Sequence, residues 1–245
     1  MRVRSKSWFS DLLRAATKVF AAKGYRQTQM SDIAREMGVS QGTLYTYVES
    51  KEALFLLACQ RGFSDSPIAP PKQPPIASLS FDAMLQKVRD QRSSITWIET
   101  LRTALRTKNP VDARAELEGV LREFYSVIER HRRGVDLIER SALDVPEMAQ
   151  LLFVEGRRKA VARFVRYLTN RIESGHFKPV PDAPTAARFI IEAVTWFARH
   201  RHTTPDSQMI SDHDALETTI HFLVSALIPS TCDETKPRRK RKRTS

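Results

Sequence analysis

Cysteine is nearly absent: Cys59 and Cys232 are the two in 245 residues, far apart and in no CxxC pair. That excludes a disulfide framework or a thiolate zinc site and suits a reducing compartment. No apolar run approaches the roughly 18–20 residues that a membrane span needs. The start, Met1–Ser7, leads into no signal-type apolar core. The expectation is a cytoplasmic protein with no membrane partner. No GxSxG, P-loop, HExxH or GxGxxG is present, and no nucleophile sits beside a recognisable base. The chain therefore offers no catalytic residues and no cofactor site. His200, His202, His213 and His221 invite a metal reading, but i, i+2 spacing at a helix end points imidazoles apart. With no acid or Cys spaced to complete a site, no metal is expected. Strand alternation and Asn-Gly hairpin signals are missing too.

What is present is charge and helical rhythm. The formal net charge is +12, with an isoelectric point near 10.0. The run Lys236–Arg243 holds seven cations and no acid, and Arg2, Arg4 and Lys6 form a basic arm; removing those seven and three from +12 leaves +2. Positive charge thus concentrates at the ends, which suits phosphate contacts and says nothing of which sequence is bound.

Trp8, Leu12, Ala15, Ala16, Val19 and Phe20 mark one helical face, with Gly24 as a stop. A second short helix fits Met30–Met37, with Ile33, Ala34 and Met37 inward, before the tight turn Gly38-Val39-Ser40. Ser40 would cap a third helix with Leu44 and Val48 inward. A fourth begins after Ser50, burying Ala53, Leu54, Leu57 and Ala58. Pro67, Pro70, Pro71, Pro74 and Pro75 then interrupt the pattern. The expected organisation is an all-α chain: a helix-turn-helix DNA-binding domain over residues 1–63 (motif about 29–48), a Pro-rich linker over 64–80, a larger helical domain over 81–229, and a disordered basic tail over 230–245. Beyond the linker, helical patterns run over 81–106, 111–132, 134–144, 146–174, 183–201 and 212–228.

Two short helices joined by a Gly-containing turn define a helix-turn-helix. With Leu44 and Val48 packed inward, Gln41, Thr43, Tyr45 and Tyr47 point outward. Two exposed tyrosines in so short a helix suit a face pressed on DNA, where rings cover sugar and hydroxyls bond phosphate. Gly42 lets the backbone approach a groove. The segment resembles the TetR family of bacterial transcription regulators. The matching residues run through Leu13-Arg14-Ala15-Ala16, Phe20–Tyr25, Asp32-Ile33-Ala34, Gly38-Val39-Ser40, Gly42-Thr43-Leu44-Tyr45 and Ser50–Leu54. The resemblance implies that Gln41, Gly42 and Thr43 lie at the helix start that enters the major groove, and that Tyr45, Tyr47 and Lys51 hold phosphates; Ser40, the cap before them, is counted among the DNA-binding residues. Thr46 is expected to lie on the same surface; its position is often aromatic or His in the family. Val48 stands where many members carry Phe.

The resemblance also implies a C-terminal domain that dimerises and binds a small-molecule effector. One long-helix stripe is Met148, Leu151, Leu152, Val161, Val165, Leu168 and Ile172; others are Phe189, Ile190, Ala193, Val194 and Phe197, and Leu216, Ile220, Leu223, Val224 and Leu227. The last long helices would form a dimer seam, placing a homodimer on palindromic double-stranded DNA. Trp97, Phe124, Tyr125, Phe153 and Trp196 are candidates to line an effector pocket; ordinary core packing is the alternative. Glu139, Arg140, Glu155 and Arg158 are either pocket polars or surface ion pairs.

Overall fold

A computed structural model describes residues 6–64, 66–95 and 98–229. Arg2, Arg4, Trp97 and the basic tail, named above, lie outside the described residues. Among those described, every regular element is helical, and the one β-type pairing is an isolated bridge between Val48 and Ile76. The chain divides into two compact units. One gathers the residues up to Trp97 with Ser126–Ala160, and the other gathers Ile98–Tyr125 with the residues from Val161 onward.

In the first unit, α1 (Lys6–Gln27), α2 (Met30–Met37), α3 (Gln41–Tyr45), α4 (Lys51–Phe63) and α5 (Phe81–Ile95) follow in order. Leu12, Ala15, Ala16, Val19 and Phe20 are buried, as their i, i+3, i+4 spacing requires. At Gly24 the backbone leaves the helical region, with φ at 80°. Gly38 ends α2 in the left-handed conformation (φ 67°, ψ 33°), its N–H bonded to the Arg35 carbonyl. The first turn of α2 is held by Asp32, whose carboxylate accepts the Gln29 N–H at 3.0 Å and pairs with Lys23 Nζ at 2.8 Å. Those two bonds, the Lys23 one foremost, keep Asp32 below its ordinary carboxylate value. Ser50 caps α4 by accepting the Ala53 N–H at 3.1 Å. Residues 53–59 of α4 are all buried, because α1 packs on one side of that helix and α5 on the other.

The Pro-rich stretch does not close this unit. Ile68, Ile76 and Leu79 pack on its core, and α5 adds Met84, Leu85 and Val88. The C-terminal part of α7 (Ala113–Ser141) belongs to it as well. Two helical patterns split near residue 133 were expected where α7 runs unbroken. The glycine there, Gly134, makes room for close packing and does not end the helix. A Cβ on Gly62 would lie 2.7 Å from the Gly134 backbone, and one on Gly134 would lie 2.5 Å from the Phe63 ring. After α8 (Pro146–Ala149) the chain continues through π-helical turns at Gln150–Arg158 into α9 (Lys159–Glu173).

The second unit holds α6 (Glu99–Ala104), the start of α7, most of α9, α10 (Ala183–Ala198) and α11 (Asp212–Leu227). The buried face of α9 is Phe164, Tyr167, Leu168 and Arg171. Val161, Val165 and Ile172, expected inside, are half-buried. Arg171 was invisible to an apolar-periodicity reading, yet it is 1% exposed. Its guanidinium donates to both Glu116 oxygens (2.7 and 2.8 Å) and to the Ala104 carbonyl (2.8 Å), and the Tyr167 hydroxyl donates to Glu116 at 3.0 Å. A bidentate carboxylate and a carbonyl make a charge tolerable there. Helices α10 and α11 pack together.

The α4–α7 approach yields a direct test. Gly62→Ala and Gly134→Ala should each lower stability by about 1–3 kcal/mol, because backbone or ring must move to admit a methyl group. Gly119→Ala, where a Cβ would meet nothing within 4 Å, should be neutral or gain up to about 1 kcal/mol. Thermal denaturation followed by circular dichroism reads all three; an unshifted midpoint for the first two would show that the helices do not meet this closely.

Candidate nucleic-acid interface

The second helix of the helix-turn-helix is small. Five residues of α3 cannot hold a helix alone, so its conformation comes from what it is pressed against. Leu44 and Val48 are fully buried and anchor it to the core. The opposite face carries Gln41, Gly42, Tyr45 and Thr46, all exposed, with Tyr45 at 43%. A Cβ on Gly42 would meet nothing within 4 Å, so no intrachain contact calls for a glycine at that position. Thr43 is half-buried, and Thr46 Oγ1 donates to its carbonyl at 2.7 Å.

Three expected contacts sit differently from the sequence reading. Ser40 has the extended backbone of a cap, but its hydroxyl shares a 2.9 Å bond with the Thr43 hydroxyl and reaches no backbone N–H. Tyr47 lies beyond the end of α3, half-buried, and stacks on Trp8 with ring centroids 3.8 Å apart. It does not point freely outward, because a ring that long finds apolar cover on α1. Lys51 is half-buried too: its ammonium donates to the Thr28 carbonyl at 3.2 Å and sits 4.5 Å from the centre of the Tyr25 ring. Burial holds its pKa below the ordinary lysine value, against the pull of Glu52 and Asp144. These bonds occupy Lys51 inside the unit.

Tyr25 organises that neighbourhood. Its N–H donates to Ser141 Oγ at 3.0 Å and its hydroxyl donates to Glu52. Burial and the Glu52 carboxylate together push the phenol well above its ordinary range. Burial also raises Glu52, but bonds from Tyr25, its own backbone and Ser50 outweigh it and leave that carboxyl lowered. The α1–α2 elbow, the start of α4 and the end of α7 thus meet at one residue. Arg140 adds a bond to the Ala22 carbonyl at 2.9 Å, and Arg26 one to the Asp144 carbonyl at 3.1 Å.

Around α1 the cations are matched with acids. Arg14 pairs with Asp11 at 2.9 Å and Lys18 with Glu36 at 2.7 Å. They line a groove of about 540 Å³ between α1 and the α2–α3 turn, together with Trp8, Met37 and Val39. Alternating signs make it no phosphate cradle.

The effector candidates fall into two kinds. Phe124 and Tyr125 are buried in the second unit, where Phe124 packs on Phe164 at 5.3 Å and the Tyr125 hydroxyl donates to the Phe197 carbonyl at 3.1 Å. Trp196 is exposed on the second unit, and Phe153 is exposed on the first with Arg157 5.1 Å from its ring centre. Of the polar candidates, Glu155 takes a bidentate pair from Arg89 (2.9 and 3.1 Å) and Glu139 pairs with Arg157 at 3.4 Å. Arg158 is exposed. Trp8 and Ile76, which the structure places against the end of α3, were missed as site residues. An isolated Ile after two prolines was the faint signal for the second.

Comparison with known proteins adds to this geometry. The family described as bacterial regulatory proteins, tetR family, matches residues 12–58, the span of α1 to α4. The chain is 27% identical over 187 residues to the HTH-type transcriptional repressor KstR2 of Mycobacterium tuberculosis, covering 76% of each chain. It is 28% identical over 182 residues, 74% of each, to the uncharacterised HTH-type transcriptional regulator YfiR of Bacillus subtilis. The solved structure of the ketosteroid transcriptional regulator KstR2 of Mycobacterium tuberculosis superposes with a TM-score of 0.57 at 18% identity, covering 93% of this chain and 98% of that one. AibR, solved in complex with isovaleryl coenzyme A and operator DNA, shares the fold at a TM-score of 0.50 and 16% identity over 89% of this chain and 98% of that one. Residues 12–58 thus match the tetR family of bacterial regulatory proteins, and the chain as a whole is similar to HTH-type transcriptional regulators in sequence and in fold.

Proposed function

We propose that the protein is a homodimeric repressor that reads a palindromic operator through α3 and leaves it when a small-molecule effector binds. The observation that carries the DNA reading is the outward face of α3. Gln41, Gly42, Tyr45 and Thr46 form a short exposed strip whose glycine has no reason inside the protein. A backbone stripped of Cβ can enter a groove, and a half-exposed tyrosine beside it can cover sugar and bond phosphate. Gln41 at the first turn is placed for a base edge. Ser40 and Thr43, joined through their hydroxyls, lie at the start of this strip, and Tyr47 and Lys51 tie the residues beyond it to α1 and to the α1–α2 elbow. This is a binding role; the chain works inside the cell, where its DNA is.

The dimer reading rests on α10 and α11. Phe189 and Phe222 are 67% and 68% exposed, and Trp196, two turns along α10 from Phe189, is 38% exposed. Large apolar side chains left uncovered on two adjacent helices suit a seam between copies. Paired reading helices would then stand about 34 Å apart, or near a multiple of it.

Effector release follows from the way α4 is tied. Its first turn is bonded to the α1–α2 elbow through Lys51 and Glu52, and the same elbow is held by Ser141 at the end of α7. Shifting either helix pulls on the element that carries α3. AibR was solved with an acyl coenzyme A and its operator, which makes acyl coenzyme A thioesters the first effector class to try.

In fluorescence anisotropy on a duplex selected from random DNA by the wild-type chain, Gln41→Ala and Tyr45→Ala should each weaken binding about tenfold. Unchanged affinity in both would sink the proposed reading face. Adding isovaleryl coenzyme A or a long-chain acyl coenzyme A to the wild-type complex should release the duplex; retention of DNA with the whole series at saturating concentration would refute release by this class. For the dimer, sedimentation should give two chains per particle, and Phe189→Glu with Phe222→Glu should shift it to one. A wild-type monomer at micromolar concentration would overturn the seam.

A further inference from the structure

The segment between α4 and α5 does more than connect. Ile76 pairs in parallel with Val48, just beyond the reading helix. Its N–H donates to the Tyr47 carbonyl at 2.7 Å, and its carbonyl accepts the Glu49 N–H at 3.0 Å. Two residues on, the Ser78 N–H donates to Glu49 Oε2 at 2.8 Å. The Tyr47 carbonyl and the Glu49 N–H lie just beyond the end of α3 and before α4, where backbone groups have no helical partner. From the other direction Trp8 of α1 stacks on Tyr47. Residues 47–49 are therefore gripped between the Pro-rich strap and the first turns of α1.

Composition fixes where the grip falls. Pro70, Pro71, Pro74 and Pro75 carry no N–H, so Ile76 is the first residue after the Pro74–Pro75 pair that can donate to a neighbouring chain segment. The prolines before it also stop the pairing from extending into a sheet. What results is one bridge at one register. The helix it steadies has five residues and no side-chain bond to its first N–H groups. A helix that short takes its orientation from its attachments.

We infer that the strap at Ile76–Ser78 is a positioning clamp for the reading helix, and that operator discrimination depends on it. This rests on the DNA-reading role proposed for α3. The clamp acts through Tyr47–Glu49 and needs no contact with DNA of its own. Loosening it lets α3 swing, which weakens base-edge bonds that demand close alignment. Phosphate attraction, which tolerates misalignment, is left nearly as it was.

The test compares two duplexes, one selected by the wild-type chain from random DNA and one shuffled duplex of equal length. Ile76→Pro deletes the N–H while keeping an extended backbone; Ile76→Val keeps it; Glu49→Ala removes the acceptor for Ser78. Ile76→Pro is expected to weaken binding of the selected duplex about tenfold, leaving the shuffled duplex and the salt dependence within about twofold of wild type. Glu49→Ala should reduce the preference about threefold, and Ile76→Val should retain it. An Ile76→Pro chain that keeps both its helical content and its full preference would overturn the clamp, as would equal weakening on both duplexes. If Ile76→Pro does not fold, Glu49→Ala decides, and an undiminished preference there overturns the clamp. A wild-type chain that cannot tell the two duplexes apart removes the DNA reading itself, and the clamp with it.

Discussion

At Gly24 the backbone of α1 turns through φ 80°, and a side chain there would come within 3.0 Å of the Arg140 carbonyl. A glycine is needed on both counts, conformational and steric. The turn brings Tyr25 against the end of α7, where its N–H finds Ser141, and against α4, where its hydroxyl finds Glu52. Phe55 and Phe81 pack on its ring from α4 and the start of α5. The helix-turn-helix is thereby joined to α4, α5 and α7. Its geometry follows theirs.

Such a junction suits a regulator better than a rigid anchor would. Each tie is one bond or one ring contact, worth on the order of 1 kcal/mol once water is accounted for. Together they hold α3 in one orientation, yet no single one is beyond the reach of a binding event elsewhere. The buried Arg171–Glu116 pair in the second unit is a different kind of device. Held by a bidentate pair and a carbonyl, it gives that unit a fixed point which could not be half-broken without leaving a charge stranded.

The α1, α2 and α4 spans were legible because each has an amphipathic stripe and a start or stop signal: Gly24, Gly38, and Ser50 before α4. The Leu44 and Val48 anchors followed from the same argument, and with them the exposed positions Gln41, Gly42 and Tyr45. The reading failed where one residue type has two uses. Gly134 reads as a break and serves as a packing notch against Gly62. Tyr47 and Lys51 read as outward side chains and are half-buried, against Trp8 and against the Thr28 carbonyl. Arg171 reads as solvent-facing and lies at the centre of a core. The Pro-rich stretch reads as a linker, since nothing local says that Ile76 will return to Val48.

Sequence alone determined the helical class, the helix-turn-helix and its inward anchors, because these depend on periodicity and on local backbone preferences within a few residues. The tertiary structure decided which polar groups are free. Tyr45 remains exposed while Tyr47 is stacked, and Lys51 is half-buried with a bond to the Thr28 carbonyl. It also tied a proline-rich stretch to the residues that follow α3. Those outcomes depend on partners 23 to 39 positions away in the chain, and a buried polar group or ring takes whichever partner the packing brings within reach.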